Sequence, residues 1–146
     1  MDSFFVYTDG ASRGNPGQAA GAYLIFDKNH KLILKNGAHL GIATNNEAEY
    51  KAAILALNKL LELKIKKAIF FLDSLLVEKQ LSGKFKIKTD RMQKLYLEIK
   101  RLIFQNGLSV EFQYISRDQN KEADKLVNQI LDKNIAKGEA NKFNNG

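Results

Sequence analysis

Ser3-Phe4-Phe5-Val6-Tyr7-Thr8-Asp9 and Ala68-Ile69-Phe70-Phe71-Leu72-Asp73 are the two stretches that decide how this chain folds. Both are runs of aromatic and aliphatic side chains, and both close on an aspartate. The first reads as a strand that ends at Gly10. The second shows no polar alternation and fits a strand buried on both faces of a sheet. If the two lie parallel and adjacent, their aspartates emerge on the same sheet edge, where α/β folds place ligands.

The rest of the pattern is read outward from these runs. Residues 11–17, with Gly14, Asn15, Pro16 and Gly17 close together, read as a turn-rich loop. Residues 22–27 and 31–36 read as strands joined by a three-residue connection, hence an antiparallel hairpin. Asn45 or Asn46 can cap a helix running to about residue 63, with Tyr50, Ala53, Ile54, Leu57, Leu60 and Leu61 as its apolar stripe. A short helix over 74–81 follows the second run, then a longer one over 90–105. A strand over 109–115 and a closing helix over 121–136 complete the chain. The helical crossover before residue 68 favours a parallel neighbour there, so the class is α/β.

At 146 residues the chain suits one domain, residues 1–137, with residues 138–146 as a flexible polar tail. It has no cysteine, which excludes a disulfide framework and a cysteine-ligated metal. It shows neither a signal peptide nor an apolar window of bilayer length, so no membrane association is expected, and a soluble cytoplasmic protein is. Without an apolar face to dedicate to self-association, a monomer is the default. The 23 Lys+Arg against 16 Asp+Glu leave +7, a balance that favours an anionic partner.

Acidic residues fall at informative places. Asp9 and Asp73 end their strands alike, Glu49 lies in helical register with Ala53, Ala56 and Leu60, and Asp124 adjoins the buried stripe of Ala123 and Val127. Taken singly, Asp9 reads equally as a turn acid, Asp73 as a helix N-cap, and Glu49 and Asp124 as dipole-complementing acids. Taken together, four carboxylates at one sheet edge would repel one another unless a cation joined them. Oxygen-only donors with room for water suit Mg²⁺ or Mn²⁺. With two ions, one generates hydroxide and the other stabilises the departing oxygen, as phosphodiester hydrolysis requires.

The local sequences carry a resemblance. Tyr7-Thr8-Asp9-Gly10-Ala11-Ser12-Arg13-Gly14-Asn15-Pro16-Gly17 resembles the first catalytic block of type 1 ribonuclease H. Thr44-Asn45-Asn46-Glu47-Ala48-Glu49-Tyr50 with Ala52-Ala53 resembles its second block, and Leu72-Asp73-Ser74 with Val77 its third. Arg117-Asp118-Gln119-Asn120-Lys121-Glu122-Ala123-Asp124 with Leu126 and Asn128 resembles its fourth. The four blocks occur in the family's order across the folded chain, which is most similar to the compact microbial form lacking an inserted basic helix. The resemblance implies a ribonuclease H-like fold: a five-stranded mixed sheet, three antiparallel plus two parallel strands, flanked by helices.

It also implies an endonuclease that hydrolyses the RNA strand of an RNA–DNA hybrid, leaving 5′-phosphate and 3′-hydroxyl ends. Two Mg²⁺ ions, with Mn²⁺ as substitute, would be held by Asp9, Glu49, Asp73 and Asp124, Asp9 bridging. Asn15, Asn45 and Asn46 match substrate-contacting positions, and amides both donate and accept, as reading a hydroxyl demands. Asn15 shaping its turn and Asn45 capping its helix are the plainer alternatives. Thr44 matches a position that contacts a phosphate of the DNA strand. Double-stranded RNA as a further substrate, and a non-catalytic hybrid-binding module, remain the rival readings.

Most of the positive charge lies in residues 84–101, which hold seven basic and two acidic side chains. In extended form, Lys84-Phe85-Lys86-Ile87-Lys88 would present three ammonium groups on one side, for phosphate contact or merely for solvent, and Phe85 and Ile87 on the other. Phe85 would pack against the DNA strand or enter the core. Many relatives carry a histidine in the loop before the fourth acid; here Arg117 stands near that place and could contact a phosphate. His30 and His39 are expected at the surface.

Overall fold

The computed structural model describes residues 2–144, with side chains described through residue 133. Strands β1 (Phe4–Gly14), β2 (Gly17–Phe26) and β3 (Leu32–Ala43) form an antiparallel meander. Helix α1 (Asn45–Glu62) crosses to β4 (Lys67–Leu72), which pairs parallel with β1. Helices α2 (Leu75–Leu81) and α3 (Asp90–Gln105) lead to β5 (Ser109–Tyr114), parallel to β4. A 3₁₀ turn, Arg117–Asn120, then opens α4 (Lys121–Asn144). The sheet order is β3-β2-β1-β4-β5, the mixed five-stranded arrangement expected from the sequence. Helix α4 continues past residue 136, where the sequence pattern ends it. The expected loose tail, 138–146, has its side chains and last two residues outside the described residues.

One face of the sheet packs under α1, α2 and α3 through Val6, Ile25, Tyr50, Leu57, Phe70, Leu72 and Ile99. The other face packs under α4 through Ala20, Ala22, Val127 and Leu131. Helix α4 covers β2 and the neighbouring parts of β1 and β3, so β4 is not buried on both sides as expected. Ala68, Phe70 and Leu72 are buried, whereas Ile69 and Phe71 are half-buried. Phe71 instead stacks on Tyr7 at a ring separation of 4.8 Å. His30 and His39 are exposed, in agreement with expectation.

Three local readings need correction. Asp9 does not end β1. Its parallel pairing to β4 stops at Tyr7↔Phe71, but β1 runs on against β2 as far as Gly14↔Gly17. Residues 11–17 are therefore mostly hairpin, turning tightly at Asn15 and Pro16. Helix α1 is capped by Thr44 rather than by either asparagine: Glu47 N donates to Thr44 Oγ1 and Thr44 N donates to Glu47 Oε1, both at 3.1 Å. This reciprocal Thr-x-x-Glu box satisfies two end groups at once, which a lone Asn cap does not. The third correction concerns residues 84–88, which are not uniformly extended. The backbone N–H groups of Lys84 and Phe85 both donate to Lys79 O, wrapping this segment around the end of α2.

Gly10 is where β1 meets α1. A Cβ built there would lie 2.2 Å from the backbone carbon and oxygen of Ala48 and 2.6 Å from Glu49 N. Backbone cannot yield as a side-chain tip can, so Gly10→Ala must push α1 off the sheet. We expect Gly10→Ala to lower unfolding stability by about 2–3 kcal/mol, as overpacking does. Urea denaturation checks this, and wild-type stability would show that the approach is not close in solution.

Candidate active site

The cleft is built by four elements. β1 supplies Asp9, α1 supplies Glu49, the end of β4 supplies Asp73, and α4 supplies Asp124. These line one cavity of about 330 Å³ together with Asn45, Asn46 and Arg117. Roomier cavities exist at the surface, but this is the one where carboxylates converge. One carboxylate oxygen from each of Asp9, Glu49 and Asp73 lies within 4.8 Å of the others. Asp124 joins from the side, on the wall of the same cavity, where its charge bears on Asp9.

The plainer readings of Asp9, Asp73 and Glu49 do not hold, whereas Asp124 does lie in the first turn of α4. Asp9 sits inside a strand at 5% exposure, so it is no turn acid. Ser74, not Asp73, caps α2 by accepting from Val77 N. Glu49 is 6% exposed, and its Oε1 accepts from Gly10 N at 3.2 Å while its Oε2 is buried with no hydrogen-bond partner.

Supporting amides hold the cluster. Asn120 Nδ2 donates to Asp73 Oδ2 at 2.9 Å and to Thr8 O at 2.8 Å, tying the 3₁₀ turn to both β1 and the end of β4. Asn128 Nδ2 donates to Asp124 O at 3.0 Å and lies 3.5 Å from Asp124 Oδ1. Arg13 contacts Asn128 Oδ1 at 3.4 Å and pairs with Asp132 at 2.6 Å. Sequence reasoning assigned no role to Asn120. Its partner Thr8 lies 112 positions away, and only its place in the fourth block marks it.

Electrostatics records the crowding. Burial, more than any neighbour, raises the Asp9 carboxyl to about 7, and the Asp73 and Asp124 charges push it the same way. Burial raises Glu49 well above the ordinary range, with Asp9 adding to it. Such a set is short of positive charge, and the partnerless Glu49 Oε2 gives a cation an oxygen to bind. The donors are hard and all oxygen, which fits a divalent ion such as Mg²⁺ or Mn²⁺.

The proposed substrate contacts divide into three groups. Asn45, Asn46 and Arg117 line the acid cleft. Asn15, Thr44 and again Asn46 line an adjoining cavity of about 360 Å³ with Thr89 and Arg91. Arg91 had entered the sequence reading only as charge. Its place beside Thr44 comes from α3 packing near the start of α1, where Arg91 lies 3.6 Å from Glu47. Lys84, by contrast, lines a different cavity with Glu78 and Lys100. Lys86 and Lys88 are exposed on the segment after α2, and Phe85 is 48% exposed, so it is not core.

A carboxyl raised on folding holds a proton that the unfolded chain gives up. The metal-free protein should therefore lose stability as pH rises from about 4 to about 7, through the Asp9 window. We expect Mg²⁺ to raise Tm more at pH 8 than at pH 5.5, because protons compete with it at the lower pH. Asp9→Asn should stabilise the metal-free protein at pH 8 by on the order of 2 kcal/mol and abolish the metal effect. Calorimetric scans with and without Mg²⁺ decide this; an equal Tm gain at both pH values would contradict it.

Comparison with known proteins agrees with the geometry. Residues 7–130 match the family model described as reverse transcriptase-like. Bifunctional protein Rv2228c of Mycobacterium tuberculosis is 34% identical over 128 residues, covering 87% of this chain and 35% of that protein. The chain thus spans about a third of the length of that curated relative. Ribonuclease H1 of Halobacterium salinarum superposes with a TM-score of 0.86 at 33% identity, over 90% of this chain and 98% of that one. LC11-RNase H1, solved in complex with an RNA/DNA hybrid, superposes with a TM-score of 0.87 at 32% identity, over 91% and 99%. Fold, acid cluster and family match lead to one conclusion: the chain belongs to the reverse transcriptase-like family, as a ribonuclease H-like domain of the compact ribonuclease HI form.

Proposed function

We propose that this domain is a metal-dependent endonuclease that hydrolyses the RNA strand of RNA–DNA hybrids. The observation that carries the reading is the convergence of Asp9, Glu49, Asp73 and Asp124 in one open cleft. Support comes from LC11-RNase H1, a relative that does bind a hybrid. In this reading Asp9 would be shared between two divalent ions, with Glu49 and Asp73 helping to hold one and Asp124 the other. When bound, such ions supply an acidified water at neutral pH and a counter-charge for the departing oxygen. The expected products carry 5′-phosphate and 3′-hydroxyl ends.

The chain's own residues do the positioning. Gly10 N occupies Glu49 Oε1, which leaves Oε2 to face the ion site. Asn120 holds Asp73 and Gly10 N holds Glu49, so two of the four carboxylates stand ready before substrate arrives. Preorganised groups of this kind need not reorganise in the transition state. His30 stacks on Phe5 at 4.4 Å and lines a cavity other than the acid cleft, so it is not placed to act as a base here. Arg117, on the cleft wall, is suited to a phosphate. Four bare carboxylates would oppose a polyanion, a charge that a bound ion or an Asp→Asn change reduces.

In this reading a duplex lies across the two neighbouring cavities, which share Asn46. The RNA strand lies at the acids and along Asn15, Asn45 and Asn46. A DNA-strand phosphate lies between Thr44 and Arg91, and Lys84, Phe85, Lys86 and Lys88 follow the DNA backbone from the segment after α2. Affinity then falls as salt rises, through counterion release.

Labelled RNA–DNA, RNA–RNA and DNA–DNA duplexes, incubated with Mg²⁺ or Mn²⁺, test the reading. We expect internal cuts in the RNA of the hybrid, lost on adding EDTA. Asp9→Asn or Asp73→Asn should abolish cleavage while largely sparing hybrid binding. Cleavage of RNA–RNA would widen the substrate class. Full activity in either variant would overturn the site, and binding without cleavage by the wild type would leave a hybrid-binding module.

A further inference from the structure

Asn15 and Asn45 are joined in a relay whose polarity is set by backbone groups. Ser12 N donates to Asn45 Oδ1 at 2.9 Å, and Ser12 Oγ donates to the same oxygen at 3.0 Å. Asn45 N in turn donates to Asn15 Oδ1 at 3.0 Å. A backbone N–H only donates, so the amide end it meets must be oxygen. Because Thr44 caps α1, the Asn45 N–H belongs to the first helical turn, has no partner within the helix, and is available to Asn15.

Both lone pairs of Asn45 Oδ1 are thus occupied, Asn15 Oδ1 accepts a single bond, and neither Nδ2 has a protein partner among the described residues. Asn45 lines the acid cleft and Asn15 the adjoining one. The sequence-level view, in which these amides both donate and accept, is narrowed at one of them: toward substrate, Asn45 offers a donor alone.

We propose that Ser12 is a positioning residue that fixes the Asn45 amide with its NH₂ toward the cleft, so that this position selects an acceptor oxygen on the substrate. The inference rests on the ribonuclease H reading, under which that acceptor is a ribose 2′-oxygen of the RNA strand. Deoxyribose offers no oxygen there, and an amide donor stripped of water without a new partner opposes binding. Ser12 acts through Asn45 and is not among the residues that line the acid cleft.

The test pairs Ser12→Val with Ser12→Thr, side chains of like shape that differ in the hydroxyl, with Ser12→Ala as a second variant should valine fold poorly. The backbone N–H bond survives in all of them, so the change is modest. We expect KM for the hybrid to rise about fivefold in Ser12→Val, the order of one neutral hydrogen bond, with kcat within about twofold. Ser12→Thr should restore KM.

Binding is measured in an Asp73→Asn background, using hybrids with single 2′-deoxy substitutions scanned along the RNA. One such substitution should weaken the Ser12 protein about fivefold and leave the Ser12→Val protein nearly unchanged, a non-additive cycle. Additive losses at every position, or an unchanged KM in Ser12→Val, would overturn the role of Ser12. A Ser12 protein that binds hybrid and DNA–DNA equally would instead overturn the ribonuclease H reading itself.

Discussion

At Gly10 the backbone of β1 passes against the backbone of α1 with no room for even a methyl group. Much of the candidate active site depends on that approach. It lets Gly10 N reach Glu49 Oε1 across 39 positions of sequence and so sets a helix carboxylate beside a strand carboxylate. A larger residue would separate the two elements and with them the two acids. The buried face of α1, from Ala48 through Ala53 and Ala56 to Leu57, is correspondingly rich in alanine, which keeps the helix low over the sheet.

The result is a cluster the fold holds against its own electrostatics. Burial and mutual repulsion raise Asp9 and Glu49, and Glu49 Oε2 has no partner. The packed core under α1, α2 and α3 supplies the stability that tolerates this arrangement. Buried carboxylates with depleted partners are a poor way to stabilise a protein and a good way to bind a cation. The amides around them limit how far they relax: Asn120 spans β1, the end of β4 and the 3₁₀ turn, while Arg13 reaches across from β1 to Asn128 and Asp132 on α4.

The same hairpin serves a second purpose. By carrying β1 past Asp9 to Gly14, it brings Ser12 and Asn15 alongside the start of α1. Thr44 takes over the capping, and the asparagines after it become free to face a ligand. Asn46 lines both cavities, so the acid cleft and the Thr44–Arg91 cleft form adjoining halves of one surface.

What the sequence determined by itself was whatever depends on near neighbours and periodicity. The span of α3 was legible and matches at both ends, residues 90–105. Asp73 was legible as the acid that closes an apolar strand, whereas Asp9, which reads the same way, lies inside a longer strand whose parallel pairing alone stops before it. The matched blocks identified Glu49 and Asp124. Tertiary structure alone decided that β1 outruns its parallel partner, that Thr44 caps in place of Asn45, and that residues 84–88 wrap around α2. It alone brought Ser12 to Asn45, Asn120 to Thr8 and Arg91 to Thr44. The reason is physical: periodicity reports which side of an element is buried, whereas a hydrogen bond between residues 33 or 112 positions apart depends on how two finished elements lie against each other.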